Sequence, residues 1–160
     1  VGFGRIGRSV GKIAKACGMK LIAYDPYLND AQIKEGKAEP VTLEELIKRS
    51  DVLTLHVPLI ESTKNMISEK EFEMMKDTAI LINASRGGII NEEALYKALT
   101  SGKILGAGLD VFEEEPPINS KLLECENVVL TQHIGASTYE AQNRAGIIIA
   151  EEVIKALKCK

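Results

Sequence analysis

Residues 1–25 read VGFGRIGRSVGKIAKACGMKLIAYD, and three features of that stretch decide the fold. Gly2, Gly4 and Gly7 complete a G-x-G-x-x-G pattern at the head of a helical segment, Arg5–Cys17. Met19–Tyr24 (MKLIAY) is a short apolar run of strand character, and Asp25 closes it, eighteen residues past Gly7. In such a pattern the first glycine permits a tight turn, the second lets backbone approach a pyrophosphate, and the third allows close helix–strand packing. The helix then turns its free N–H groups and the positive end of its dipole toward the phosphates. An acidic residue about 20 positions on accepts hydrogen bonds from the adenosine ribose hydroxyls, and its charge repels a 2′-phosphate. The spacing therefore predicts a dinucleotide site, with Asp25 selecting NAD over NADP.

Outward from this stretch, strand-like and helix-like segments alternate. Asp51–Val57, Thr78–Ala84, Lys103–Val111 and Asn127–Thr131 are short, nearly continuous apolar runs, as expected of parallel strands covered on both faces. Thr42-Leu-Glu-Glu45, Ser68-Glu-Lys-Glu71 and Ser137-Thr-Tyr-Glu140 each fit a capping box at a helix start. Asn91 is placed to cap a helix over 92–101, with Gly102 closing it. Strands alternating with helices predict an α/β fold, a doubly wound parallel sheet of Rossmann type. Only Val1 precedes the glycine pattern, so the first and central strand is expected to be largely missing from residues 1–160, and the chain to be a fragment of a longer polypeptide. No internal repeat or low-complexity segment interrupts it.

Composition narrows the function classes. Twenty Lys and Arg against 23 Asp and Glu give a net charge of −3, and aromatic residues make up 4% with no Trp. That lacks the basic excess and the stacking platforms of nucleic-acid binding. No apolar stretch approaches the roughly 20 residues of a membrane span, and none at the start reads as a signal peptide. Cys17, Cys125 and Cys159 are odd in number and have no metal-binding spacing. Idle or buried thiols in a reducing cytoplasm and no metal are the expectation.

Three polar segments follow predicted strands, where ligands bind in open α/β sheets. They are Asn83-Ala-Ser-Arg-Gly-Gly88, Asp110-Val-Phe-Glu-Glu-Glu-Pro-Pro117 and Thr131-Gln-His-Ile-Gly-Ala-Ser-Thr138. Taken singly, each has an ordinary explanation: an ion-pairing arginine, a solvated acidic patch, a structural histidine. Together with His56-Val-Pro-Leu59 and the glycine pattern they span nearly the whole chain, and they resemble the nucleotide-binding domain of the D-isomer-specific 2-hydroxyacid dehydrogenases. Within that family the match is closest to members that oxidise D-3-phosphoglycerate in serine biosynthesis. Sister members reduce glyoxylate or hydroxypyruvate, and a corepressor uses the domain as an NAD(H)-sensing module.

The resemblance implies a catalytic set of Arg86, Glu115 and His133. It implies an NAD site lined by Gly2, Gly4, Arg5, Ile6, Gly7, Asp25, Val57, Pro58, Ala84, Ser85, Arg86, Asp110, His133, Ile134, Gly135 and Ala136. It also implies a small 2-hydroxy or 2-keto acid as substrate, a homo-oligomer, and a substrate-binding domain built from segments outside residues 1–160, without which the chain alone is inactive and binds NAD weakly at most. The residue chemistry agrees. Imidazole, with an ordinary pKa of about 6.5, suits reversible proton transfer near neutrality. Glu115, fixed by the following Pro116, can pair with that imidazole and stabilise its charged form. The guanidinium of Arg86 is a planar fork suited to a carboxylate. Asp110 is expected at the nicotinamide carboxamide. The sequence departs from the family at Gln132, where a proline is usual. A proline would fix φ and pre-set the loop, whereas Gln132 leaves it freer.

Overall fold

The computed structural model describes residues 1–158; Cys159, one of the three thiols, lies outside the described residues. The chain runs α1 (Arg5–Ala16), β1 (Ile22–Ala23), α2 (Asp30–Glu35), β2 (Glu39–Pro40), α3 (Leu43–Arg49), β3 (Val52–Leu55), α4 (Glu69–Met74), β4 (Ile80–Asn83), α5 (Glu92–Thr100), β5 (Gly106–Leu109), a 3-10 turn (Lys121–Glu124), β6 (Val128–Leu130) and α6 (Tyr139–Lys158). Every strand pairing is parallel. β3, β4, β5 and β6 form one sheet in that order, and β1 and β2 form another. Val1 and Gly2 bridge the two: the Val1 carbonyl accepts from His56 N at 2.9 Å, and Gly2 N donates to the Tyr24 carbonyl at 2.9 Å. The expected central strand is thus represented by these two residues. The architecture is the Rossmann-type α/β fold that the alternation predicts.

The core lies on one face of the four-stranded sheet. Leu53, Leu55, Leu81 and Leu109 point into it and meet Leu46 and Ile47 of α3, Phe72 of α4 and Leu95 and Leu99 of α5. Each such side chain contributes roughly 1.5–3 kcal/mol on burial. The alternate residues Thr54, Ile80 and Ile82 are only half-buried. Coverage of both faces, the expectation from the apolar runs, is therefore incomplete among the described residues. The cause lies in the outer helices: α1 buries Gly7 and Gly11 alone, and α6 buries none of its residues. Ile147, Ile148, Ile149, Val153, Ile154 and Leu157 of α6 are all more than half exposed.

Local capping fixes the helix starts. Thr42 and Glu45 form a reciprocal box on α3, Thr42 N donating to Glu45 Oε2 at 2.9 Å and Glu45 N to Thr42 Oγ1 at 3.2 Å. Such a cap contributes about 1 kcal/mol. On α4, Ser68 N donates to Glu71 at 3.1 Å while the Ser68 hydroxyl turns to Glu69. Asn91 accepts from Ala94 N at 2.8 Å, and Gly102 takes φ +71 just past the end of α5. Three elements escaped the sequence reading: the 3-10 turn, α2 and β2. α2 opens on an Asn29–Gln32 box, and β2 is a two-residue edge strand containing Pro40, tolerable there because an edge position leaves the proline no ladder N–H to supply. One cap is corrected: α6 is opened by Thr138, whose hydroxyl accepts from Ala141 N at 3.1 Å, and Ser137 donates instead to the His133 carbonyl.

Candidate active site

The glycine turn is built by contact as much as by sequence. Gly2 has φ +80, and a side chain there would run into the His56 carbonyl; a side chain on Gly7 would collide with the Gly2 carbonyl. Around Gly4 the situation is reversed, with nothing within 4 Å of the place its side chain would take. α1 carries no acidic residue in its first turn and no side chain over its leading amides. Room and unmasked N–H donors for a pyrophosphate are therefore both present. A cavity of about 550 Å³ opens there, lined by Gly4, Arg5, Ile6, Gly7 and His56 among others. His56, with Nε2 3.2 Å from the Thr54 hydroxyl, is lowered to about 4 chiefly by burial, so a neutral ring underlies the turn. Val57 is buried beside Gly2, and the Pro58 carbonyl accepts from the Thr63 hydroxyl at 2.6 Å. Asp25 reaches back from the end of β1, its carboxylate accepting from Phe3 N at 2.8 Å and Tyr27 N at 2.9 Å.

At the carboxyl ends of β4, β5 and β6 three loops converge. After β4, the buried side chain of Asn83 accepts from Ser85 N at 3.0 Å and from the Ser85 hydroxyl at 2.7 Å, and it donates to the Arg86 carbonyl at 2.9 Å. This Asx turn shapes the Ala84–Arg86 segment. Gly87 lies against the Phe112 carbonyl so closely that any side chain would overlap it, which brings the Arg86 loop onto the Phe112–Glu115 loop.

Asp110, buried at the end of β5, organises the loop after β6. Its Oδ1 accepts from the Thr131 hydroxyl at 2.5 Å and from Ile134 N at 2.8 Å, and its Oδ2 from Gly135 N at 2.9 Å. Burial pushes the Asp110 carboxyl up, but those three donors outweigh it and hold the group below its ordinary range. Within that loop His133 sits at φ +53. Its Nδ1 is 2.8 Å from Glu115 Oε2, while Glu115 Oε1 accepts from Phe112 N at 3.2 Å. The His133 ring and then the Phe112 amide keep the Glu115 carboxyl below the usual carboxylate range. A carboxylate only accepts, so Nδ1 is the donor and Nε2 the outward, exchangeable position. An apolar cavity of about 640 Å³ adjoins the pair, lined by Phe112, Pro116, Pro117, Leu130 and Gln132 among others.

The structure thus brings His133 and Glu115 into contact, while Arg86, on the neighbouring loop after β4, makes no bond to either among the described residues. Arg86 is exposed and donates to the Ser85 carbonyl at 2.6 Å. Ala84, Ile134, Gly135 and Ala136 are exposed along the same edge. Four contributors lie inside the quoted motifs but were given no role from the sequence: Asn83, the Phe112 amide, Thr131 and His56. For Asn83 the role was legible, an Asx residue at a strand end; the other three act across the fold, and their roles were not.

The family described as D-isomer specific 2-hydroxyacid dehydrogenase, NAD binding domain, matches residues 1–135. The chain belongs to this family. Among relatives of this NAD-binding domain, hydroxypyruvate reductase of Thermotoga maritima is 52% identical over 98% of this chain and 51% of its own length. D-3-phosphoglycerate dehydrogenase of Methanocaldococcus jannaschii is 50% identical over 99% of this chain and 30% of its own length. The chain therefore spans about half the length of the curated relatives it matches, or less. The NAD-complexed crystal structure of the D-isomer specific 2-hydroxyacid dehydrogenase from Lactobacillus delbrueckii ssp. bulgaricus superposes with a TM-score of 0.86 at 34% identity, covering 98% of this chain and 51% of that one. NAD is the cofactor of this domain.

Proposed function

We propose that the chain is the nucleotide-binding part of an NAD-dependent dehydrogenase that interconverts a D-2-hydroxy acid and its 2-keto acid, with D-3-phosphoglycerate as the first substrate to test. The observation that carries the reading is the His133–Glu115 pair at 2.8 Å, set on the carboxyl edge of the sheet in a chain whose glycine turn has room for a pyrophosphate. Relatives bearing dehydrogenase and reductase names at about half identity support it. When bound, the nicotinamide supplies the hydride chemistry at the substrate's C2. The chain's own groups do the rest. Nε2 of His133 takes the hydroxyl proton in oxidation and returns it in reduction, while Glu115 holds the ring's orientation and stabilises imidazolium. The Arg86 N–H groups not spent on Ser85 form a fork for the substrate carboxylate. Asp25 receives the adenosine ribose and Gly4–Gly7 the pyrophosphate.

The greater length of the relatives supports a substrate-binding part in the intact protein that closes over the His133 edge. Exposed apolar side chains at Ile6 and Ile13 of α1 and along α6 support a homo-oligomer. Unpaired Cys17 and Cys125 support a reducing, cytoplasmic setting. Hydroxypyruvate or glyoxylate reduction is the second reading, favoured by the T. maritima relative. The test is NADH oxidation by the intact protein with 3-phosphohydroxypyruvate, hydroxypyruvate and glyoxylate side by side. A rate highest with the phosphorylated acid supports the first reading, and a rate highest with either other acid the second. Absence of oxidation with all three overturns both.

A further inference from the structure

We propose that Thr131, acting through Asp110, is a positioning residue that sets His133 in the backbone conformation and ring tautomer Glu115 can hold, an assignment that rests on the proton-transfer role given to His133 above. His133 lies in the left-handed region at φ +53, which a residue with a side chain rarely adopts, so neighbouring bonds must over-determine it. Those bonds converge on one buried carboxylate. The Thr131 hydroxyl donates to Asp110 Oδ1 at 2.5 Å, Ile134 N to the same oxygen at 2.8 Å, and Gly135 N to Oδ2 at 2.9 Å. The chain is thereby tied down two residues before His133 and on the two residues after it. Asp110 is itself anchored, its amide donating to the Asn83 carbonyl at 2.9 Å, and Thr131 N donates to the Leu109 carbonyl at 2.9 Å. A side chain at 135 would press on Asp110 Oδ2, so the small residue there belongs to the same clamp. The hydroxyl is the one side-chain donor to the carboxylate and shares Oδ1 with the Ile134 amide, so it fixes which oxygen faces which amide. Gln132 has no ring to restrict the loop, so this clamp supplies the restriction from outside the residue.

The test is ¹⁵N imidazole spectroscopy of the intact protein at a pH where both rings are neutral, the two signals being assigned by their loss in His56→Gln and His133→Gln. Residues 1–160 hold only these two histidines, and His56 serves as the internal reference. In the wild type the His133 signal is dominated by the Nδ1–H form that donates to Glu115. Thr131→Val keeps the shape and removes the hydroxyl, and it is expected to shift the Nδ1–H to Nε2–H ratio of His133 by roughly tenfold, the factor carried by one charge-assisted hydrogen bond, with His56 unmoved. Thr131→Ser is expected to restore the ratio. If Thr131→Val does not fold, Asp110→Asn is read in its place. An unchanged His133 ratio overturns the proposal, and so does failure of Thr131→Ser to restore it. NADH oxidation by the intact wild type with 3-phosphohydroxypyruvate, hydroxypyruvate and glyoxylate is read in parallel: absence of oxidation with all three counts against the dehydrogenase reading while leaving the tautomer result standing.

Discussion

The Nδ1 nitrogen of His133 and the Oε2 oxygen of Glu115 stand 2.8 Å apart, although one lies on the loop after β6 and the other on the loop after β5. Each partner is held from behind, His133 through the Asp110 bonds to Ile134 and Gly135, and Glu115 by the Phe112 amide. The contact is therefore a property of two braced loops rather than of two mobile side chains.

Removing the charge of Glu115 leaves imidazolium without its stabilising neighbour. Glu115→Gln in the intact protein is expected to move the alkaline limb of 2-keto acid reduction to lower pH by roughly one unit, because the proton His133 must donate is lost sooner. A pH–rate profile with the limb where the wild type has it removes Glu115 from this role.

His133→Gln separates chemistry from binding. Turnover is expected to fall roughly 10²–10⁴-fold, the usual worth of a positioned acid or base, while NADH fluorescence still reports binding. Near-normal turnover would leave the proton step to another group.

Asp25 ties the end of β1 to the glycine turn through Phe3 N and is the proposed ribose acceptor. Asp25→Ala is expected to weaken NADH binding roughly tenfold, consistent with one or two lost hydrogen bonds to a charged acceptor. Titration of the intact protein checks it, and unchanged affinity removes the ribose assignment.

Gly87→Ala forces a methyl group into the Phe112 carbonyl. The Arg86 loop and the Glu115 loop must then part, at an expected cost of about 1–3 kcal/mol. Thermal unfolding reads this as a lower Tm, and an unchanged Tm would mean that the two backbones separate freely.

Acid should loosen the His133 loop before it unfolds the core. The Asp110 and Glu115 carboxyls are both held below their ordinary ranges, which lie near 3.9 and 4.3 in unfolded chains, about the usual values. A depressed carboxyl contributes stability that is present above its unfolded value and lost as pH falls through its folded value. Amide exchange at Ile134 and Gly135 is therefore expected to accelerate below about pH 4, while Leu81 in β4 stays protected. Asp110→Asn should make exchange at those two amides fast at neutral pH and remove most of its acid dependence.

The alternation of strand and helix, the glycine turn with Asp25 behind it, and the capped starts of α3, α4 and α5 were legible in the chain. These are set by residues within a few positions of one another, so the chain displays them directly. It was less informative for α2 and β2, which have six and two residues: too short for any periodicity, and in β2's case defined only by pairing with β1. Of the three consecutive glutamates, the place of Glu115 before Pro116 already pointed to His133, which it meets, whereas only the tertiary structure decided that Glu113 accepts from Glu92 N at the start of α5. It likewise decided that Asp110 binds its own chain through Thr131, Ile134 and Gly135, and that Arg86 rests on Ser85. Those contacts, Arg86's apart, join loops eighteen or more residues apart. Their meeting is fixed by the parallel register of β4, β5 and β6, a packing outcome that no local pattern of side chains encodes.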